Sequence, residues 1–570
     1  MQHFAALYAE LDASPSTQHK VSALRRYLAQ AVPEDAAWAL YFLAGGRPRR
    51  SVSTSLMREQ ACLAAGLPDW LFEAGYQAAG DLAETIAQVL PPPERVASLG
   101  LAAWMTQRLL PLHGADAAMQ AQALQSWWRE LDTPGRFLLG KLIGGGFRVG
   151  VSRLLVQRAL AEHAGLDPTL VAQRMMGFTS ARTRPTAEAL SALLAPPGQG
   201  AADAGQPYPF FLAQALEGPP AASLGERGLW QAEWKYDGMR AQVVRRAGRA
   251  WLWSRGEELV GEAFPEVLEQ AAALPDGTVL DGELLVWPDG AARPAPFAQL
   301  QQRANRKTVG KALRQRAPVR FVAYDLLEFG GVDQRERPLA ERRPALEALL
   351  AQGPYAAAPV LNTPDWPSLA AQRATSLAQG VEGLMLKALA SAYGSGRSQA
   401  TAGLAGGAWW KWKLEPERVD GVLIYAQAGH GRRAGVYTDY TFAVWNRAPR
   451  DAAEAQAVVD AIARREPAQP GALQLVAFTK AYSGLTDAEF AAVDREVRAH
   501  TLERFGPVRS VRPTLVFELG FEGIQRSARH KSGVALRFPR MLRLRPDKPL
   551  HQADTLDSLQ ALLRAREDIS

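Results

Sequence analysis

At 233–240 the chain reads E-W-K-Y-D-G-M-R, a lysine set between acids, an arginine and two aromatic rings. A lysine in such company is either solvated or a nucleophile. Attack on phosphorus needs the free amine, which is scarce at neutral pH when the pKa is about 10.4. Neighbouring cations favour that form and also neutralise the anion under attack. Candidates follow downstream: Arg240 in the same motif, Arg255 in S-R-G (254–256), and Lys411 and Lys413 in W-K-W-K (410–413). Glu283 in D-G-E-L (281–284) and Glu382 in E-G-L-M-L-K (382–387) end apolar, strand-like runs. Carboxylates so placed suit a hard cation that stays partly hydrated, such as Mg²⁺.

Taken singly these signals are modest. The pattern K-x-D-G-x-R arises by chance in roughly one chain of this length in a hundred. Tyr324 in Y-D-L-L reads as core, W-K-W-K alternates as any half-exposed strand does, and Arg-rich R-F-P-R-M-L-R-L-R-P-D-K (537–548) reads as a solvated face. Their fixed order along one chain is the stronger observation.

The elements that must position these residues change character along the chain. From 1 to 186 apolar residues recur at helical spacing, as in A-G-D-L-A-E (79–84) and its continuation, so an all-α domain is expected. Within it K-L-I-G-G-G-F-R-V-G-V-S-R (141–153) is a Gly-rich turn with Arg148 before a helix; it reads as a helix–helix turn or a phosphate cradle. The stretch A-P-P-G-Q-G-A-A-D-A-G-Q-P (195–207) has no periodicity, and a linker is expected over 187–206. Residues 207–415 alternate strands such as T-V-L-D-G-E-L-L-V-W with short helices, an α+β domain with antiparallel sheets. Residues 416–570 open on D-G-V-L-I-Y-A-Q-A-G-H-G-R-R and Y-T-F-A-V-W, the start of a β barrel. In K-A-Y-S-G-L-T-D (480–487) Thr486 or Asp487 should cap a helix.

The 570 residues are too many for one core, and 65 Lys and Arg against 58 Asp and Glu leave a net charge of +7. A polyanionic partner is favoured. The single cysteine, Cys62, excludes an intrachain disulfide and a cysteine zinc ribbon, which fits a reducing cytoplasm. No apolar run is long enough to span a membrane, and the amino terminus has no signal-peptide pattern.

The ordered set of motifs from Lys235 to Lys548 resembles that of the ATP-dependent DNA ligases, within the covalent nucleotidyltransferases. The resemblance is close from 207 onward and looser in the helical part, where A-G-D-L-A-E and F-R-V-G-V-S look like that family's DNA-binding domain. It implies a helical DNA-binding domain, a nucleotidyltransferase domain and a C-terminal OB-fold barrel, closing as a C around duplex DNA. It further implies that Lys235 takes AMP from ATP as a phosphoramidate, passes it to the 5′-phosphate of a nick, and lets the 3′-hydroxyl displace it. Glu233 would recognise adenine and Tyr324 stack on it. Arg240 and Arg255 would bind sugar or phosphate, Glu283 the ribose or metal, Glu382 the metal, and Lys411 and Lys413 the α-phosphate. Arg537 and Lys548 would orient pyrophosphate. Family members carry an arginine shortly before W-x-K-x-K; here 400–408 is a Gly- and Ala-rich stretch, and Arg397 is the nearest replacement. The implied setting is a monomer in a bacterial cytoplasm, using Mg²⁺ or Mn²⁺ and binding nicked duplex DNA without sequence preference, in repair, replication or recombination.

Glu233 and the E-G-L-M-L-K form argue against an mRNA-capping guanylyltransferase, and the helical domain against an RNA ligase. The lone cysteine argues against an NAD-dependent ligase. An intact Lys235, Glu283 and Glu382 argue against a clamp that has lost its chemistry.

Overall fold

The protein is described by a computed structural model. It describes every residue except 49, 146, 148, 180–183, 197–204, 307–308, 398–406, 430–435, 468, 470 and 570, and omits the side chains of 77, 78, 169, 397 and 567–569. Arg148 and most of the 400–408 stretch therefore lie outside the described residues, as does the side chain of Arg397.

Up to residue 186 the described chain is mainly helical, as its spacing predicts: α1 (Gln2–Ala13), α2 (Thr17–Gln30), α3 (Pro33–Leu43), α4 (Thr54–Ala65), α5 (Asp69–Ala79), α6 (Leu82–Val89), α7 (Ala117–Arg129), α8 (Thr133–Gly144), α9 (Arg153–Ala164) and α10 (Pro168–Arg174). The expected linker over 187–206 is corrected at its start, where α11 (Ala187–Leu194) forms because Thr186 caps it and Leu190 and Leu193 are buried. Short polar side chains start several of them. Asp81 accepts the backbone N–H of Glu84 at α6, and Ser152 that of Leu155 at α9. The described part of the Gly-rich turn ahead of α9 is tied to the helices. Phe147 stacks on Phe42 at 4.8 Å, and the buried Lys20 ammonium donates to the Val149 carbonyl at 2.5 Å.

Two compact units emerge, and the helices are shared between them. The first comprises Met1–Val52, Ala97–Asp116 and Lys141–Leu414. Its centre is two sheets. In one, β1 (Trp230–Tyr236) pairs antiparallel with β6 (Val381–Ala388), which pairs antiparallel with β7 (Trp409–Lys413). In the other, β2 (Met239–Arg246) lies between β3 (Arg249–Ser254) and β4 (Thr278–Val286), and β4 pairs with β5 (Val319–Phe329), all antiparallel. The strand period of two sends alternate side chains to opposite faces of each sheet. On the β1–β6–β7 sheet Trp230, Ala232, Leu384, Leu386 and Trp412 bury one face against Trp366 and Leu369 of α13 (Trp366–Ala374). On the other sheet Ala241, Val243, Leu280, Leu284 and Phe321 bury a face with Leu346 and Leu350 of α12 (Leu339–Leu350). The opposite faces carry charged and aromatic side chains among buried apolar ones such as Val244, Val279 and Val322.

The second unit comprises Ser53–Val96, Ala117–Gly140 and Glu415–Ser570. Its long central strand β8 (Glu417–Ala428) pairs along one edge with β9 (Tyr437–Trp445), which pairs with β10 (Leu475–Ala481). Along its other edge β8 forks, pairing first with β13 (Val516–Phe521) and then with β12 (Val508–Val511), which pairs with β11 (Thr501–Phe505). A register shift between Leu423 and Tyr425 bends β8 near that fork. The sheet wraps a core of Val419, Tyr440, Phe442, Phe478 and Phe517. The C-terminal region is thus β-rich, with β14 (Gly523–Arg526) and β15 (Val534–Arg537) as a separate hairpin and β16 (Arg540–Leu544) on β13. Thr486 caps α15 (Asp487–Ala499), following α14 (Ala452–Ala463), in a reciprocal box with Glu489.

Candidate active site

Cross-strand register places the chemistry on one face of the β1–β6–β7 sheet. Glu233 is opposite Met385, which is opposite Lys411; Lys387 is opposite Gln231 and Trp409; Gly383 is opposite Lys413. Lys235 follows Glu233 by two residues and points the same way. Glu382 is out of phase with this face, and an irregularity in the β1 register between Val381 and Leu384 turns it over. Gly383 makes that turn possible, because its φ is +139° and a Cβ there would sit 2.5 Å from the Trp412 carbonyl oxygen.

The result is a carboxylate shared by two lysines. Glu382 Oε2 accepts from Lys235 Nζ at 2.5 Å and lies 3.2 Å from Lys413 Nζ. All three side chains keep some exposure, 22% for Lys235. Deeper in the same face, Glu233 is buried and its Oε2 accepts from Lys387 Nζ at 2.8 Å. Its Oε1 accepts from Gln231 at 2.5 Å and lies 3.6 Å from Arg343 of α12. Lys387 also stands 4.3 Å from the Tyr324 ring centre and 4.5 Å from that of Trp409.

The second sheet supplies Glu283, opposite Arg240 on β2. Its approach explains the glycine of the lysine motif. A Cβ on Gly238 would lie 2.8 Å from Glu283 Cγ and 2.4 Å from the Leu284 carbonyl oxygen. Burial pushes the Glu283 carboxyl up to about 8, with Lys235 and Arg240 pulling down and Asp281 and Glu382 adding to the rise. Such a carboxyl, beside a second one on Glu382, is a donor pair that a hard divalent cation would complete. Among the described residues no group of three or more His, Cys, Asp or Glu gathers at one point.

Arg240 is engaged with protein. It grips the fully buried Asp281 through Nε at 3.1 Å and Nη2 at 2.6 Å, and donates to the Phe211 carbonyl at 2.6 Å and the Tyr393 hydroxyl at 3.3 Å. The Tyr393 hydroxyl in turn donates to Asp281 at 2.7 Å. Burial works against the guanidinium charge, but Asp281 holds its pKa well above the ordinary value. Burial raises the Tyr324 hydroxyl well above its ordinary value. Arg255 is exposed on the turn after β3, its N–H bonded to the Arg240 carbonyl at 3.0 Å.

Lys235, Glu233, Arg240, Glu283, Tyr324, Glu382, Lys411 and Lys413 thus lie on the two sheets of one unit. The backbone of Arg397 pairs with Leu212 in that unit. Arg537 and Lys548 belong to the second unit. There the Arg537 guanidinium lies 5.2 Å from the Phe538 ring, and Lys548 donates to Asp420, which Arg545 also approaches at 3.3 Å. Sequence reasoning overlooked Asp281, Lys387, Tyr393 and Arg343. The first two stood inside quoted motifs, as the opening letter of D-G-E-L and the last of E-G-L-M-L-K. Tyr393 stood in Y-G-S-G-R, and Arg343 carried no signal beyond its helix.

Comparison with known proteins matches the chain region by region. Residues 211–413 match the ATP dependent DNA ligase domain, 1–161 the DNA ligase N terminus, and 462–548 the ATP dependent DNA ligase C terminal region. A probable DNA ligase of Koribacter versatilis is 29% identical over 614 residues, covering 99% of this chain and 97% of the relative. A probable DNA ligase of Anaeromyxobacter sp. is 32% identical over 467 residues, 80% of this chain and 81% of the relative. The solved structure named Pmar-Lig_PreS3 matches with TM-score 0.59 over 95% of this chain and 99% of its own, at 13% identity, a likeness of fold.

Proposed function

The chain belongs to the ATP-dependent DNA ligase family, and from that premise we propose that it seals 5′-phosphate/3′-hydroxyl nicks in duplex DNA through an adenylate carried on Lys235. The observation that supports this most is the meeting of Lys235 and Lys413 on the Glu382 carboxylate, beside Glu283.

Lys235 Nζ forms a bond to the α-phosphorus of ATP as the bond to pyrophosphate breaks. Lys411 and Lys413, two strands away across β6, neutralise the α-phosphate oxygens as charge develops on them. Glu283 and Glu382 are the residues that would hold Mg²⁺, with Mn²⁺ as the substitute. Bound there, the ion would screen phosphate charge and compete with Lys235 for the Glu382 carboxylate. Glu233 presents an acceptor to the adenine amino group, held by Lys387 and Gln231. Tyr324 supplies the stacking surface. Arg240, fully engaged with Asp281, Tyr393 and Phe211, shapes the wall of the site, while exposed Arg255 is free to meet the 5′-phosphate of the nick. Arg397 stands nearest the family's missing arginine. Arg537 and Lys548 orient pyrophosphate in the first step only.

In the two later steps the adenylate passes to the nick's 5′-phosphate, leaving Lys235 as the amine, and the 3′-hydroxyl then displaces AMP. The helical region would grip the duplex by its phosphates without reading bases, which suits repair, replication or recombination alike. The test is sealing of a labelled nicked duplex with ATP, GTP or NAD as donor. Joined DNA with ATP alone is expected; joining of RNA but not DNA, or donation by GTP, would overturn the proposal.

A further inference from the structure

The segment F-R-V-G-V-S and the motif S-R-G stand far apart in sequence, yet one ion pair joins the residues beside them. Arg153, immediately after Ser152 at the start of α9, donates through Nη1 to Glu257, two residues beyond Arg255. Both belong to the first compact unit. The other end of the guanidinium donates to the Met175 carbonyl at 2.5 Å, so the arginine is braced from the helical side. The pair is largely sheltered, with side-chain exposures of 23% and 20%. Burial works against the charge, pushing the Arg153 guanidinium down to about 10, so the pair serves to fix geometry rather than to add stability.

The turn that receives this contact is held in an unfavourable shape. Glu257 has φ +62°, a left-handed backbone that costs a residue with a Cβ about 1 kcal/mol or more. Its N–H bonds the Ser254 carbonyl at 2.9 Å, and the Ser254 N–H bonds the Glu258 carbonyl at 2.9 Å, closing a tight loop around Arg255. Glycine would take this position without strain, but it would lack the carboxylate that meets Arg153. A second contact seats the same strand end. Gly177, at φ +77°, lies so close to Trp253 that a Cβ would come within 2.8 Å of the indole.

We propose that Arg153 and Glu257 are positioning residues for the DNA-dependent steps: the pair sets the turn that carries Arg255 from the helical segment that holds the duplex. Arg255 then meets the nick's 5′-phosphate in register with the bound DNA. Self-adenylation needs no such register, since its reacting groups lie on the β-sheet faces. This rests on the nick-sealing reading above.

Arg153→Ala, Glu257→Gln and Glu257→Gly should keep the rate of self-adenylation with α-labelled ATP within twofold of wild type. Each should lower the rate of sealing a pre-adenylated nick by about tenfold, the scale of loss that follows small misplacement of a binding group, and raise KM for nicked DNA. The exchanged pair Arg153→Glu/Glu257→Arg restores the ion pair but not the bond to the Met175 carbonyl, so it should recover part of that loss, which a variant acting through general instability would not do. Wild-type sealing with unchanged rates in all three single variants would overturn this inference alone. So would equal losses in self-adenylation and sealing. A wild-type protein that self-adenylates but joins no nick would overturn the nick-sealing reading, and this inference with it.

Discussion

Glu382 is the residue on which the lysines converge, and its two partners have separable roles. On the proposed reading Lys235 is the nucleophile, so Lys235→Ala should abolish adenylate transfer outright. Lys413 acts by charge, so Lys413→Ala should slow self-adenylation by about 10²-fold, the loss seen when one preorganised charge-stabilising donor is removed. Its melting temperature should change little, because the side chain is partly exposed. Glu283 makes a pH prediction. Its carboxyl titrates at about 8 in the folded chain and at an ordinary value, about 4.3, once unfolded. The fold therefore favours the protonated form, and the stability it gives is whole below the unfolded pKa and lost as pH rises through about 8. Thermal melting of the nucleotide-free protein should fall across that window and level above it. Glu283→Gln should flatten the fall; an unchanged profile would place the proton elsewhere. Legibility at this scale was uneven. Lys235, Glu283 and Glu382 sat in motifs whose letters name their chemistry, while Arg343 reaches Glu233 only because α12 packs on the sheet, a contact no local pattern encodes.

At the scale of elements, two devices bring distant motifs together. One is the irregularity at Gly383, which turns Glu382 onto the face of Lys235. Gly383→Ala would force a Cβ against the Trp412 carbonyl at a positive φ. It should cost about 1–3 kcal/mol in denaturant unfolding and depress self-adenylation by more than that loss explains. The other is the clamp of α12 on β5. Arg342 and Asp325 are fully buried and doubly bonded, at 2.8 and 2.9 Å, one residue beyond Tyr324. Arg342→Ala should destabilise the unit by about 3–5 kcal/mol, because it strands a buried carboxylate. Helix and strand periods were readable from the sequence, as was a cap at Thr486 or Asp487, of which the structure uses Thr486. The faces were readable too, since W-K-W-K alternates as the sheet does. The register was not, because an irregularity one residue wide reverses the side to which Glu382 points.

Across the whole molecule, the motifs fall into two compact units, with Lys235 in the first and Arg537 and Lys548 in the second. Their proposed joint action belongs to the attack on ATP alone. Arg537→Ala should therefore cripple self-adenylation while leaving the sealing of a pre-adenylated nick largely intact; equal loss in both assays would refute the division of labour. A net charge of +7 and a grip on phosphates predict DNA affinity that falls as a power of salt concentration. Each neutralised phosphate should add about −0.9 to the slope of log K against log salt. The change from helical to strand-rich sequence near residue 207 was visible in composition, but the sharing of the helices between two compact units follows from long-range packing that composition does not carry. The central claim is that one lysine carries the adenylate. Peptide mass mapping of the protein after incubation with ATP and Mg²⁺ tests it most directly: an acid-labile adenylyl group on Lys235, absent from Lys235→Ala, is predicted, and an adenylate on any other residue, or its survival in that variant, would contradict it.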